Sequence, residues 1–531
     1  MCHCSKVAQC HQPLLPPPEA CPALHDRPRS ARGGGAIGEV ASIVRLAMPM
    51  VGAGLLMYMR SMVSMLFLGR LGSLPLAGGS LALGFANITG YSVLSGLAAG
   101  MDPVCGQAFG AGRTSVLTAA LRRTVMLLLA ASAPISVLWL AMRRVLVATG
   151  QDPDIAACAY EFILCSLPDL AVQSFLHPLR VYLRAQSITL PLTYAAAAAL
   201  VLHVPVNVLL VQSLDLGIRG VALAAVWTNL NFLLFLVAYA YFSGLIHSDG
   251  NGEPAACVVT AGEEGGATTM EWRCLVTLSM HSCMSVCLEW WWYEIMVLLC
   301  GVLADPKAAV AAMGIMIQTT SLVYIFPHSL SCAVSTRVGH ELGAGRPERA
   351  RLVARVGLVC GAALGVVACA FAASLRGVWA RVFTTDAAIL RLASSALPIL
   401  GAAELGNCPQ TAGCGVLRGS ARPGKAARIN ASAFYGVGMP AALALAFWPA
   451  RLDFRGMWAG MLAAQLVCAA LMLLAVRRTD WDEQAVRARE LTGAVAIAAV
   501  VVGDGDVIKS DHAEPAKANA DSGFLVVTVL S

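Results

Sequence analysis

The sequence predicts an all-α polytopic membrane protein with twelve transmembrane helices in two pseudo-symmetric six-helix lobes. Three observations support this fold class. Of the 531 residues, 58% are hydrophobic and 13% charged, and the mean hydropathy is +0.70. Long apolar stretches recur along the chain, and one motif occurs twice. Because soluble domains carry roughly 25% charged residues, most of this chain must contact lipid or other apolar helices.

The apolar stretches have the length of membrane spans. A helix that crosses a bilayer needs about 20 mainly apolar residues, and a ~19-residue window finds twelve such stretches. They lie at residues 41–69, 74–100, 117–140, 156–179, 190–212, 217–242, 273–303, 308–334, 350–373, 387–416, 427–448 and 455–476. An even number of spans places both termini on the same side of the membrane. The connections on that side carry fifteen Lys and Arg against ten on the other, so the positive-inside rule predicts cytoplasmic termini.

The halves of the chain repeat each other. GQAFGAGR at residues 106–113 returns as GHELGAGR at residues 339–346, an offset of 233, and three further short matches follow the same chain order with offsets of 232 to 236. Since the repeated unit has an even number of spans, both copies have the same orientation and the pseudo-twofold axis runs along the membrane normal. A central cavity between the two lobes follows from this arrangement.

The longest polar interruption between spans predicts the boundary between the halves. The predicted organisation is a disordered cytoplasmic N-terminal tail (1–38), an N-lobe (39–242), a cytoplasmic linker (243–270), a C-lobe (271–476) and a cytoplasmic C-terminal tail (477–531).

The seventh span contains two carboxylates around a run of aromatic residues, LEWWWYE at 288–294. An ionisable side chain inside a span costs about 2.5–3.5 kcal/mol on insertion scales, so each is a functional candidate. Helical geometry places Glu289 and Tyr293 on one face and rotates Glu294 about 140° away from Glu289. A carboxyl group shielded from water can exchange a proton near neutral pH, as a proton-coupled carrier requires.

The aromatic run and the tenth span predict the walls of a substrate cavity. Trp290 and Tyr293 could bind a cation through their rings, although an interfacial aromatic belt is the alternative for the tryptophans. Glu404 and Asn407 share a helix face, and Pro409 allows a kink. A buried, hydrogen-bonded structural role is the alternative for Glu289 and for Glu294.

The N-terminal half has no comparable pair of acids, so coupling is expected in the C-terminal half. The polar residues in its spans are Arg60, Asn87, Glu161, Asp169, Gln173, Asn207 and Asn229.

The repeated glycine motifs predict tight helix exits, because glycine adopts positive φ without strain. Arg113 and Arg346 at their ends can neutralise helix carboxyl termini or contact anionic headgroups. A purely structural role and a role in conformational gating both remain open. The residues of these exits are Gly110, Gly112, Arg113, Gly343, Gly345 and Arg346.

Taken together, six motifs between residues 40 and 480 resemble the multidrug and toxic compound extrusion (MATE) family, specifically its plant DETOXIFICATION type. They are LAMP at 46–49, LGRLG at 68–72, GQAFGAG at 106–112, LEWWWYE at 288–294, VGHELGAG at 338–345 and CGVLRGS at 414–420. The resemblance implies the MATE fold, two lobes in a V shape that exchange a cation for an organic substrate.

The resemblance also implies roles for particular residues. Glu289 matches the favoured proton-coupling glutamate of eukaryotic members, with Glu294 and a tenth-span acid in support. This chain has Asn407 where relatives carry that acid, so either Glu404, one turn earlier, replaces it, or Asn407 only hydrogen-bonds substrate. Ser64 stands where many bacterial relatives have a first-span aspartate, so coupling at that position is not expected.

We therefore expect a secondary active transporter that performs proton-coupled antiport of small organic compounds, by efflux or by sequestration in a compartment. Na⁺-coupled antiport and a membrane-anchored regulatory or interaction protein remain alternatives. We expect no enzyme, because the chain lacks a His-rich metal motif, a nucleophile elbow and a phosphate loop.

The expected partners are a small organic substrate, protons and the lipid bilayer, with the proton gradient as energy source and no cofactor or metal. Nucleic acid is not expected, because the basic residues form no stripe interleaved with aromatics. We expect a functional monomer in the plasma membrane, the vacuolar membrane or an endosomal or Golgi membrane. The sequence leaves the substrate open.

Overall fold

The computed structural model describes residues 35–245, 272–448 and 452–493. Within these ranges, twelve helices are long and apolar enough to cross a membrane, as the sequence predicts. They are α1 (Ala36–Leu71), α2 (Ser73–Gly110), α3 (Thr114–Leu140), α4 (Pro153–Ala185), α5 (Leu190–Ser213), α6 (Gly217–Phe242), α7 (Trp272–Cys300), α8 (Pro306–Gly343), α9 (Pro347–Leu375), α10 (Ala387–Gly419), α11 (Pro423–Phe447) and α12 (Phe454–Arg477).

Three shorter helical segments complete the described chain. The helix Met142–Ala148 follows α3, a 3₁₀ turn at Trp379–Val382 precedes α10, and α13 (Trp481–Leu491) follows α12. The predicted N-terminal tail up to residue 34, the linker from residue 246 and the C-terminal tail from residue 494 lie outside the described residues.

Side-chain caps fix where several helices begin. The Asp152 carboxylate accepts hydrogen bonds from the backbone amides of Asp154 (2.9 Å) and Ile155 (3.2 Å) ahead of α4. Asp305 and Asp386 cap α8 and α10 in the same way. Each cap satisfies amides that the first helical turn leaves without a partner.

Two π-helical turns lie against α7, one from each lobe. In α2 the turn Asn87–Tyr91 presents the carbonyl oxygen of Ile88, which accepts a hydrogen bond from Trp291 Nε1 at 3.2 Å. In α11 the turn Ala431–Gly438 presents Tyr435, whose hydroxyl donates to the Leu288 carbonyl oxygen at 3.0 Å. Such turns are frequent at functional sites. Here they hold α7, the helix that carries Glu289 and Glu294.

The first helix of each half packs partly against the opposite lobe. Ile43 and Leu46 of α1 belong to the same buried cluster as Val338 of α8. Leu275 and Leu278 of α7 belong to a buried cluster otherwise formed almost entirely by N-lobe helices. The lobes are therefore interleaved at their terminus-side ends.

The repeated motifs meet each other where the lobes join. A Cβ atom built on Gly339 of α8 would lie 3.1 Å from the Cα atom of Gly106 in α2, and one built on Gly106 would lie 3.5 Å from the Gly339 Cα atom. Contact between residues at equivalent positions of the repeat is what a twofold axis through the contact produces. We therefore place the pseudo-twofold axis at the crossing of α2 and α8.

Candidate functional site

Glu289 lies on the buried face of α7 and is only 8% exposed. Within the described chain, its carboxylate has no hydrogen-bond partner. The charged or titratable groups that act on it electrostatically are His328 of α8 and Arg418 and Glu404 of α10. Three C-lobe helices thus bring their polar side chains toward one carboxyl group.

Glu404 lies on α10 and is 3% exposed, within a hydrogen-bonded cluster. Its Oε2 atom accepts from Asn407 Nδ2 at 2.8 Å and from Cys408 Sγ at 3.6 Å. Thr411 Oγ1 donates to Asn407 Oδ1 at 3.5 Å. The amide of Asn407 is therefore directed toward Glu404, and both side chains are inside the lobe.

Tyr293 lies near both buried acids. The side chain packs against the C-lobe core, and both Glu404 and Glu289 act on its hydroxyl electrostatically. Glu289 and Tyr293 also act electrostatically on the hydroxyl of Tyr324 in α8. The structure therefore brings together four of the predicted residues, namely Glu289, Tyr293, Glu404 and Asn407.

Glu294 and Trp290 stay apart from this group. Glu294 is partly exposed, and no described residue hydrogen-bonds its carboxylate. Trp290 is 37% exposed, whereas its neighbour Trp292 is fully buried, with ring centroids 5.7 Å from Phe434 and 6.2 Å from Tyr435. Of the three tryptophans, Trp292 is the one that packs inside the C-lobe.

The sequence prediction missed a polar chain that links α10 to α7 through α11. Gln410 Nε2 donates to Asn430 Oδ1 at 3.5 Å, and Asn430 Nδ2 donates to the carbonyl and hydroxyl oxygens of Ser285, each at 3.2 Å. Asn407 and Gln410 are three residues apart, a spacing that shares a helix face, and that spacing was the available signal.

A second buried polar network fills the N-lobe, which the sequence suggested was chemically poor. Asp169 of α4 is 3% exposed and accepts from Asn229 Nδ2 at 2.8 and 3.0 Å and from Gln173 at 3.4 Å. Arg60 Nη1 donates to Asn229 Oδ1 at 2.8 Å, which joins Arg60 to the network.

His203 extends the N-lobe network and is fully buried. Its Nε2 atom lies 3.1 Å from Ser64 Oγ and its Nδ1 atom 2.7 Å from Thr228 Oγ1. Asn207 Nδ2 lies 3.0 Å from His203 Nε2. The pairs Arg60 with Ser64 and His203 with Asn207 are each spaced by four residues, and this spacing was a usable signal in the sequence.

The glycine motifs form what we call the interlobe seal, made by Gly106, Gln107 and Gly110 of α2, Gly339, His340 and Gly343 of α8, and Gly419 of α10. A Cβ atom on Gly343 would collide with the Gln107 carbonyl oxygen, and one on Gly110 with that of His340. Gln107 Nε2 donates to the Gly419 carbonyl oxygen at 3.0 Å. Beyond the seal, Gly112 and Gly345 have φ of +74° and +68°, as tight helix exits require.

Buried ion pairs flank the seal. Asp102 of α2 is paired with Arg184 of α4 and, across the lobes, with Arg418 of α10, whose Nη1 atom lies 3.3 Å from Asp102 Oδ2. We call this trio the Asp102 latch. Arg418 therefore pairs with the N-lobe while it also acts on Glu289.

The two motif arginines have different partners. Arg346 Nε lies 2.7 Å from the carboxylate of Glu341, which is fully buried. Arg113 Nη1 donates to the Thr492 carbonyl oxygen at 2.7 Å, just after α13. Since α13 packs on the C-lobe through Trp481 and Ala485, Arg113 ties the N-lobe to the other half.

Twelve spans, two interleaved lobes and buried polar groups inside both lobes define a multi-pass integral membrane transporter. The sequence model of the MatE family matches residues 49–209 and 282–443, one match in each half. The chain belongs to this family of MATE transporters.

The relatives and solved structures agree with this family. The chain is 56% identical to Protein DETOXIFICATION 49 of Arabidopsis thaliana over 86% of this chain and 88% of that protein. It is 55% identical to Protein DETOXIFICATION 48 of the same plant, over 86% and 83%. The crystal structure of the eukaryotic MATE transporter AtDTX14 matches with a TM-score of 0.79 at 30% identity, covering 86% of this chain and all of the other.

Proposed function

We propose that the protein is a proton-coupled antiporter of small organic compounds that works by alternating access, with Glu289 as the coupling residue. The observation that carries the proposal is the position of Glu289, buried in α7 without a hydrogen-bond partner in the described chain and close to Glu404, His328 and Arg418. A proton arriving at or leaving this carboxyl changes the charge balance of the whole C-lobe site.

Arg418 relates the change in charge at Glu289 to the interface between the lobes. The Arg418 guanidinium interacts with Glu289 inside the C-lobe and with Asp102 across the lobes. When Glu289 is protonated, its attraction for Arg418 is lost, while the ion pair of Arg418 with Asp102 remains. We propose that this redistribution couples proton exchange to opening of the interlobe seal.

Glu404 and Asn407 have supporting roles in the proposal. Glu404 holds a second negative charge near Glu289, and Asn407 fixes its carboxylate by the 2.8 Å hydrogen bond. Glu404 replaces the tenth-helix acid of relatives in this scheme. Glu294 and Trp290 contribute less, because they lie apart from the buried acids.

The available driving force is sufficient for active transport. One proton moving down 1 pH unit supplies ~1.4 kcal/mol, and a potential of ~100 mV adds ~2.3 kcal/mol. Together these support a gradient of several hundredfold for a neutral substrate.

The proposal can be tested with the full chain in liposomes, following ethidium efflux driven by a pH gradient. Glu289→Gln removes the charge and keeps the shape, so we expect pH-driven flux to fall at least roughly 100-fold, the loss of ~2.7 kcal/mol of coupling. Glu348→Gln, at an exposed α9 ion pair, is the matched control and should leave flux unchanged.

Three results would contradict the proposal. Undiminished pH-driven flux in Glu289→Gln would exclude this residue as the coupling group. Flux that follows a Na⁺ gradient at equal pH and ignores protons would favour Na⁺-coupled antiport instead. Absence of any gradient-driven flux, with partners bound through the tails, would favour the regulatory alternative.

We also propose that both termini face the cytoplasm, because the Lys and Arg excess lies on that side. The interlobe seal and α13 would then close the cytoplasmic face.

A further inference from the structure

Arg60 is a charged side chain in the first span whose hydrogen-bonding capacity is mostly unused. A guanidinium carries five N–H donors. Among the described residues, Arg60 makes one hydrogen bond, from Nη1 to Asn229 Oδ1 at 2.8 Å. Its Nε atom is buried without a partner, although donors shielded from water are normally satisfied.

The neighbouring acid does not satisfy Arg60. Asp169 acts on Arg60 electrostatically, but its carboxylate accepts from Asn229 and Gln173 instead. No carboxylate in the described chain lies within ion-pair distance of the guanidinium. The described residues therefore leave donors of Arg60 without an acceptor, so the group that completes the network must be an acceptor.

The position of Arg60 suits a transported ligand. It lies eleven residues before the end of α1, about 16 Å along the helix at ~1.5 Å per residue. The residue is partly exposed at that depth. Ser64, one turn later, is bound to His203 on the same face of α1, which fixes this side of the helix against α5.

We propose that Arg60 anchors an anion-binding subsite in the N-lobe that takes the carboxylate or sulfonate group of an organic anion. The inference rests on the proposed transport function and specifies one substrate class for it. Planar guanidinium donors match the paired oxygens of such groups. Asn229 holds the guanidinium in place, and the Asp169 carboxylate holds Asn229 by accepting from its Nδ2 atom.

The two lobes then differ in charge preference. The C-lobe presents the acids Glu289 and Glu404, and the N-lobe presents Arg60. An organic anion would bind Arg60 at a distance from the coupling acids, which leaves these acids free to exchange protons. Organic cations would bind near the C-lobe acids and would not depend on Arg60.

The test compares two charged probes in phosphatidylcholine liposomes that contain the full-length protein. Benzenesulfonate is a permanent anion that does not cross lipid as a neutral acid, and benzyltrimethylammonium is a permanent cation of similar size. Uptake of each probe is measured for the native chain and for Arg60→Gln, Arg60→Lys and Arg70→Gln. Arg70 is exposed at the end of α1 and is the matched control.

We expect Arg60→Gln to lower benzenesulfonate uptake at least roughly tenfold, since a charge-assisted bidentate contact is lost. Arg60→Lys should restore part of it, and benzyltrimethylammonium uptake should be unchanged in every variant. Binding of benzenesulfonate to the protein in nanodiscs, measured without any gradient, should show the same order of affinities.

The remaining outcomes either overturn the inference or separate it from the transport proposal. If Arg60→Gln lowers uptake of both probes equally, the role of Arg60 is structural. The same holds if Arg60→Lys lowers uptake of both probes equally. Transport of the cation without uptake or binding of benzenesulfonate by the native chain would reject the subsite and leave the transport proposal standing. Arg60-dependent binding without transport of either probe would keep the subsite and reject the transport proposal.

Discussion

The two buried acids of the C-lobe differ in how their carboxyl groups are held. Glu404 accepts hydrogen bonds from Asn407 and Cys408, whereas no described residue donates to Glu289. A carboxyl without such partners undergoes the larger change in interaction energy when it gains or loses a proton, because no local donor compensates its charge. This difference supports the proposal that Glu289 is the coupling residue and that Glu404 has a supporting role.

At this residue scale we predict that Glu404→Gln weakens transport less than Glu289→Gln. The glutamine can still accept from Asn407, so the α10 cluster stays intact while one negative charge near Glu289 is lost. We expect pH-driven ethidium flux to fall by roughly tenfold, equivalent to ~1.4 kcal/mol. Flux assays with both variants side by side measure this, and an effect as large as that of Glu289→Gln would contradict the assigned order.

At the scale of elements, α2 and α8 are the helices on which the two lobes meet. Their backbones approach closely because Gly106 faces Gly339 and Gly343 faces Gln107. A Cβ atom on Gly343 would push the helices apart, and one on Gly339 would be tight at 3.1 Å from the Gly106 Cα atom. The glycine motifs therefore serve two purposes, since Gly112 and Gly345 turn the chain out of each helix while the earlier glycines allow the seal to close.

We predict that Gly343→Ala weakens the seal. The added methyl group collides with the Gln107 carbonyl oxygen, and overpacking of this kind costs about 1–3 kcal/mol. The melting temperature and the ethidium flux should both fall. Gly314→Ala is the control on the same helix, because its Cβ would meet nothing within 4 Å, and it should be neutral or stabilising. Equal effects of the two substitutions would refute the prediction.

At the scale of the whole molecule, the lobes are joined by more than the seal. The Asp102 latch, the Arg113 contact with Thr492 and the His340 Nε2 donation to the Ala185 carbonyl oxygen at 2.7 Å all cross from one half to the other. The side chain of Asp102 is 6% exposed, and that of Arg418 is 16% exposed. Breaking a buried pair leaves a charge uncompensated, which costs about 3–5 kcal/mol.

We therefore predict that Asp102→Asn opens the terminus-side interface. Hydrogen exchange of the protein in nanodiscs should increase in peptides from the ends of α2 and α8, with little change in the middle of α4. Arg219→Gln breaks the exposed pair with Glu161 and should leave exchange at the seal unchanged. A uniform increase in hydrogen exchange along the whole chain in Asp102→Asn would indicate unfolding and would count against a latch.

Local sequence was enough to predict the spans and the acids. Twelve apolar stretches, the repeated glycine motif and the α7 pair Glu289 and Glu294 are all visible within short windows. The structure separated Glu294 from the buried cluster, because residues five apart on a helix point in different directions. The N-lobe network of Arg60, Asn229 and Asp169 was missed, since its members come from three helices far apart in sequence.

What the sequence determined by itself is the membrane class, the number of spans and the duplication, because each is written in composition and in spacing along the chain. Only the tertiary structure decided that α1 and α7 pack partly against the opposite lobes, that Arg418 pairs with Asp102 across the lobes, and that no acid among the described residues pairs with Arg60. The physical reason is that such contacts depend on how each helix is rotated and crossed, which is set by side-chain packing between segments hundreds of residues apart.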